Sequence, residues 1–201
     1  MVPSIHSLRS SMRTEYVTTS RLECALEEGC IPSRARRSSY RRLLRFDSFV
    51  VNLGSADFIP YEDRSKWDYH VCHQHYHSHE QFASYELLTL NGSQATEGQK
   101  ASFCLEDTEC IYGAPKYYCS GGGHQGISSG CGDKYAAHLD CQWLDITDVP
   151  IFKEYDLRIT ANPSRNPAES DYSNNVVTCR VYIHAGSRVQ VQSPPGCWLS
   201  G

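Results

Sequence analysis

The sequence predicts an all-β fold, a small disulfide-stapled β-sandwich with long loops and little helix. Three observations predict it. Strand-like runs bounded by Gly, Asn and Pro outnumber segments with helical periodicity. Ten cysteines, an even number, are too many for a typical cytosolic enzyme and point to disulfides in an oxidising compartment. The chain has 201 residues, 40% of them hydrophobic, enough for one globular core and not comfortably enough for two.

The elements follow in chain order. Residues 46–53, FDSFVVNL, read as a strand that stops at Gly54. YELLTL, residues 85–90, runs into Asn91-Gly92, the dipeptide that best turns a hairpin. A helix competes there because Ser78 and Gln81 have capping-box spacing; the strand is the preferred reading. CSGGGHQGISSGCG, residues 119–132, is a Gly/Ser-rich loop, and LRITA at 157–161 is a strand ended by Asn162-Pro163. In VVTCRVYI, Val177, Cys179, Val181 and Ile183 alternate with Val176, Thr178, Arg180 and Tyr182, the period of a half-buried strand. No apolar run approaches the length of a membrane-spanning helix. The first 22 residues lack the apolar core of a secretory signal. Beside so many cysteines, this reads as a piece of a longer secreted protein, the alternative being an intracellular metal-rich one.

An 11% aromatic content excludes a disordered chain. The net charge of −4 is uneven, since residues 34–45 hold six Arg and no acid. Such a run would suit a nucleic acid or another polyanion, but a solvated basic strand or loop is the stronger expectation.

Among the cysteines, Cys24/Cys30, Cys104/Cys110 and Cys131/Cys141 are neighbours in sequence, and Cys72, Cys119, Cys179 and Cys197 must close longer loops. There is no CxxC pair, so a zinc ribbon is disfavoured. Five of nine His crowd into WDYHVCHQHYHSHE. His73, His75 and His77 are spaced i, i+2, i+4, which on a strand directs three imidazoles to one side, a set suited to copper or zinc. His70 and His79 fall outside that set, with supporting or surface roles expected. His79-Glu80 does not begin an HExxH zincin motif, because Ala83 stands where the second His belongs.

These segments resemble the catalytic domain of the lysyl oxidase family. WDYHVCHQHYH is similar to its copper-binding motif, GQKASFCLEDTEC to the segment with the cofactor lysine, and GCGDKYAAHLDCQWLDITDV to the one with the cofactor tyrosine. CALEEGC and ESDYSNNVV also match, so the resemblance runs from about residue 15 to 197 and implies a catalytic domain over 15–201 behind an N-terminal tail or fragment edge at 1–14. It implies copper on His73, His75 and His77, and a lysine tyrosylquinone made from Lys100 and Tyr135. It also implies the disulfides Cys24–Cys30, Cys72–Cys119, Cys104–Cys110, Cys131–Cys141 and Cys179–Cys197. Cys131, Cys141 and Trp143 form a C-x9-C-x-W pattern similar to one in cytokine receptors.

The chemistry explains the residue types. Oxidising an unactivated primary amine needs an electron sink that no ordinary side chain offers. A Tyr oxidised beside copper to an ortho-quinone supplies one, and a deprotonated Lys locks it in place. A general base must then remove the substrate's α-proton. Asp133 is the candidate, with structural hydrogen bonding its equal alternative, and His124 is a weaker one. Glu169, Asp171, Asn174 and Asn175 resemble the family's calcium site, although the Asp that the family adds from the domain's start is missing here. DITDVPIFKEY departs from the family's Pro-Gly turn after DITDV, which alters that loop. Asn91-Gly92-Ser93 is a glycosylation sequon, whereas proline blocks Asn162-Pro163-Ser164.

The expected function is a secreted copper amine oxidase, a protein-lysine 6-oxidase. It would use O2 to convert peptidyl lysine of collagen- or elastin-like matrix proteins to aldehyde, with no nucleic-acid partner. The alternative is a catalytically silent metal-binding matrix module, against which the presence of all three His, Lys100 and Tyr135 argues.

Overall fold

The computed structural model describes residues 1–201 apart from 32–39, 73, 80, 102–103 and 121–122, and apart from the side chains of His75 and Lys100. The chain is all-β. In order it forms β1 (Val2–Pro3), α1 (Ile5–Ser11), β2 (Arg13–Thr18), α2 (Glu23–Glu27), β3 (Tyr40–Arg45), β4 (Ser48–Val51), β5 (Asp68–His70) and β6 (His75–His77). There follow β7 (Ala83–Leu88), β8 (Gln99–Ala101), β9 (Glu109–Cys110), β10 (Cys131–Tyr135), β11 (Trp143–Asp145), β12 (Lys153–Ala161), β13 (Val176–Ile183), β14 (Val189–Val191) and β15 (Cys197–Ser200).

The largest sheet has the order β14-β13-β12-β7-β8, with β15 also paired to β13. Strict alternation builds it. Val177, Cys179, Val181 and Ile183 are buried on β13, as the sequence pattern requires, and Tyr155, Leu157, Ile159 and Ala161 on β12. Lys153–Thr160 pair with Ile183–Val176, so the register keeps both apolar sets on one face. The YELLTL segment is a strand, β7, and turns at Asn91-Gly92, where Gly92 has φ 86°. A second sheet, β1-β4-β10-β9, and a third, β11-β3-β2, share the main core with the first. In the second, Gly132 lets β10 lie close to β4, because a Cβ there would stand 2.9 Å from the Val50 carbonyl oxygen. A smaller core of Val17, Leu22, Ala25, Ile31, Leu43 and Trp143 sits beside α2.

Residues 1–14, expected as an N-terminal tail or fragment edge, carry regular structure. β1 pairs with β4, Ser4 caps α1 by accepting from the Ser7 amide, and Leu8 is buried.

All ten cysteines are paired, but four of the five expected pairings are overturned. The bonds are Cys24–Cys72, Cys30–Cys141, Cys104–Cys119, Cys110–Cys131 and, as expected, Cys179–Cys197. Proximity in sequence misleads for a local reason in each case. Cys24 stands on α2 and is half-buried, whereas Cys30 lies past the helix end and is buried. Cys30 enters the smaller core with Cys141, and Cys24 faces the β5–β6 turn. Cys110 is directly opposite Cys131 in the β9–β10 ladder. β10 carries the chain away from Cys131 before it turns back at Cys141. Cys119 is drawn beside Cys104 because its amide donates to Glu106.

The described part of the Arg-rich run is likewise not a solvated face. Arg41, Arg42 and Arg45 are all buried on β3, the central strand of its sheet. Arg41 is salt-bridged to Asp145, Arg42 donates to the His184 and Gly186 carbonyls, and Arg45 donates to the Ala137 carbonyl and pairs with Glu15. Each guanidinium thereby ties β3 to a loop or strand distant in sequence. Arg34, Arg36 and Arg37 lie outside the described residues.

Candidate active site

One cleft is lined by Cys72 in the turn of the β5–β6 hairpin and by the end of β10. The hairpin register pairs Asp68 with His77, Tyr69 with Tyr76 and His70 with His75. Residues directly opposite share a face, and so do positions two apart. The His70 and His77 rings stack at 4.6 Å and 16°. Tyr69 and Tyr76 meet edge-on at 5.1 Å on the other face. His70, read from sequence as outside the metal set, therefore belongs to the histidine face. Cross-strand register, invisible in the spacing of one strand, was the missing signal.

The strand supports only part of the i, i+2, i+4 expectation. β6 holds His75 and His77, but Gln74 has φ 58° and donates its amide to the His70 carbonyl, so the extended run ends there. His73 lies outside the described residues, as does the side chain of His75.

The hairpin is held from below. Cys24–Cys72 ties its turn to α2, and His70 Nε2 stands 3.6 Å from Glu28 Oε1. Burial first, then the charges of Asp140 and Glu27, push the Glu28 carboxyl up to about 7. Glu28, His70 and Cys72 cluster closely enough to suggest a metal site, as do Glu28, Cys30 and Cys141. Their sulfurs are all in disulfides, which removes the thiolate a metal would need.

On β10, Asp133 and Tyr135 are two residues apart, share the inward face, and are both buried. The Tyr135 hydroxyl lies 2.6 Å from Asp133 Oδ2 and 3.1 Å from the Cys104 carbonyl oxygen. Its single proton can serve one acceptor fully, and the carboxylate is the closer. Asp133 accepts also from the Glu106 amide at 3.0 Å and the Thr108 hydroxyl at 2.9 Å. Burial raises the Asp133 carboxyl to about 7, against the lowering effect of these three donors. The phenol is pushed well above its usual value by burial and then by the Asp133 charge. The Tyr135 ring packs 5.8 Å from Phe82. Thr108 and Phe82 carry no sequence signal of their own; only the fold brings them to the tyrosine.

Lys100 stands on β8 opposite Ser84. Cys104, whose carbonyl meets the Tyr135 hydroxyl, is four residues further on, so the Lys100 Cα is within about 14 Å of the Cys104 Cα. The cleft, about 450 Å³, is lined by Cys72 of the hairpin turn and by Glu106, Asp133, Tyr135, His138 and Asp140, among others. His124 is exposed with its ring against Tyr117, and it is not among the lining residues.

The acidic segment near 170 gathers elsewhere. Glu169 Oε1 accepts from the amides of Asn162 and Asn175, and Asp171 accepts from the Asn174 amide. The Oδ1 atoms of Asn174 and Asn175 are buried without a hydrogen-bond partner. Two such orphaned oxygens beside two carboxylates fit a hard cation. Asn91 is exposed at the turn after β7, its Oδ1 accepting from the Ser93 amide.

Among the described residues no helix is long and apolar enough to cross a membrane. The sequence model of the family described as lysyl oxidase matches residues 1–193. Over 163 residues the chain is 52% identical to lysyl oxidase homolog 2A of Danio rerio, covering 79% of this chain and 22% of that protein. It is 51% identical to lysyl oxidase homolog 2 of Homo sapiens over 164 residues, 79% of this chain and 21% of the relative. Identity to lysyl oxidase homolog 4 of Mus musculus is also 51%, over 80% of this chain and 22% of the relative. The chain thus spans about one fifth of the length of the curated relatives it matches. With a family match over nearly the whole chain and half-identical relatives across four-fifths of it, the chain belongs to the lysyl oxidase family, a family of amine oxidase type.

Proposed function

We propose that this domain is the catalytic unit of a secreted copper- and quinone-dependent protein-lysine 6-oxidase. It takes peptidyl lysine, O2 and water to the aldehyde allysine, ammonia and hydrogen peroxide. Collagen- or elastin-like matrix proteins are the proposed substrates and partners. The observation that carries this reading is the Asp133–Tyr135 pair, buried at a cleft whose other wall includes Cys72 of the histidine hairpin.

His73, His75 and His77 are the proposed copper ligands; imidazole donors on a short hairpin fit that ion. Lys100 and Tyr135 are the proposed source of lysine tyrosylquinone, which supplies the electron sink for the substrate's C–N bond. This chain's own residues do the rest. The Phe82 ring and the Asp133 hydrogen bond orient Tyr135, and burial of both excludes water from the ring oxygen. Glu106 and Asp140 lend the cleft negative charge toward a substrate ammonium. Glu169, Asp171, Asn174 and Asn175 are a proposed calcium site, resting on the two orphaned amide oxygens. Asn91, at an exposed turn, is a proposed glycosylation site.

The test is a peptide map of protein made aerobically with copper, together with hydrogen peroxide release from a lysine-mimicking diamine with and without a copper chelator. The expected result is Lys100 and Tyr135 joined in one species and chelator-sensitive peroxide release. Both peptides free in copper-loaded protein, with no peroxide, would leave the silent matrix module in place of the enzyme.

A further inference from the structure

We propose that Asp133 is the proton acceptor for the Tyr135 hydroxyl during conversion of this tyrosine to cofactor, with Thr108 as the residue that positions the carboxylate. The inference rests on the functional reading above and assigns Asp133 to building the cofactor, where that reading requires only that it orient the tyrosine.

The geometry is one-sided. Of the two described hydrogen-bond partners of the hydroxyl, the Cys104 carbonyl can accept a hydrogen bond but cannot keep a proton. The Asp133 carboxylate, 2.6 Å away, can. Asp133 is 2% exposed, and its oxygens are held by Tyr135, the Glu106 amide and the Thr108 hydroxyl. That arrangement aims it at the tyrosine and leaves little room to reach a substrate carbon. Thr108 Oγ1 also accepts from the Lys134 amide, so the hydroxyl that steadies Asp133 is itself oriented by β10. Among the described residues the titratable groups facing Asp133 are Tyr135 on its own strand, Tyr85 on β7 and Glu106 beyond Cys104.

The step balances. The O–H bond of Tyr135 breaks, an O–H bond forms on Asp133 Oδ2, and the negative charge passes from carboxylate to phenolate. No oxidant is consumed. When the carboxyl is protonated it donates back to the ring oxygen, and any phenol proton turns to the Cys104 carbonyl, so each protonation state stays hydrogen-bonded. Tyr135 is 5% exposed, so bulk solvent has little access to its hydroxyl and the acceptor already in contact is the favoured one.

The experiment loads the full chain with copper without oxygen, admits air, and follows the Lys100–Tyr135 cross-linked peptide by mass spectrometry. Wild type is compared with Asp133→Asn, Asp133→Glu and Thr108→Val at equal copper content. D133N is expected to slow cross-linking on the order of 100-fold at pH 7, with the rate recovering as pH rises toward 10. D133E should be intermediate, and T108V slowed several-fold. Cross-linking of D133N at the wild-type rate would overturn the inference. So would equal slowing in D133N and D133E without recovery at high pH, the mark of a purely structural role. Should D133N fail to fold, T108V decides: a wild-type rate there overturns the inference. No cross-link even in copper-loaded wild type would overturn the functional reading, and this inference with it.

Discussion

The β7-β12-β13 face and the β5–β6 hairpin are built on opposite principles. The first is long and self-sufficient: two alternating apolar strands in register over eight residues on one face, sealed by the main core. The hairpin pairs over three residues, and Val71 at its tip is 78% exposed. Apolar burial cannot hold a ribbon that short. It is held instead by the disulfide to α2 and by Glu28 beneath His70. The difference teaches how a short histidine-bearing ribbon with little stability of its own is kept in place: it is fastened covalently to a scaffold that has plenty.

Breaking the fastening tests this most severely. Replacing Cys24 and Cys72 together by Ser opens a loop of 48 residues. It is expected to cost about 4 kcal/mol of stability, read by denaturant titration, and to lower copper retention in equilibrium dialysis. Breaking the scaffold instead should separate the two properties. Leu157→Ala empties part of the fully buried core and should cost about 3 kcal/mol while copper stoichiometry holds.

The third prediction concerns two acids, one in each half of the site. Glu28 and Asp133 are both raised to about 7. In the unfolded chain they titrate near 4, so between pH 4 and pH 7 the folded state binds protons that the unfolded state releases. Their contribution to stability is therefore full below about pH 4 and lost as pH rises through 7. The unfolding free energy read from urea titration should be higher at pH 5 than at pH 8, by about 2–3 kcal/mol, most of it from the fully buried Asp133. The combination Glu28→Gln with Asp133→Asn should flatten that slope. The smallest effect sharpens the contrast with Leu157: Val71→Ala at the exposed tip should change stability by less than about 0.5 kcal/mol.

How far the molecule was legible varies from place to place. β13 was readable residue by residue, because an apolar-polar alternation on one strand is a local property. The Asp133–Tyr135 spacing was readable in the same way, since positions two apart on a strand share a face. The disulfides were not. Cys104 and Cys110 are neighbours in sequence, yet Cys110 bonds to Cys131 because β9 and β10 place them opposite. The arginines misled for a related reason: charge is visible in sequence, but the carbonyls and carboxylates that neutralise Arg41, Arg42 and Arg45 come from residues as far away as Gly186.

The sequence by itself determined the all-β class, the even cysteine count that pairs completely, and the family, and it nominated the candidate site residues. Periodicity, residue count and residue type are all carried by the chain locally. The tertiary structure alone decided which cysteine meets which, that His70 joins the histidine face, that Arg41, Arg42 and Arg45 are interior, and that Thr108 stands behind Asp133. Each of these depends on cross-strand register and on which loops converge, and both are set by the burial of the whole core rather than by any one segment.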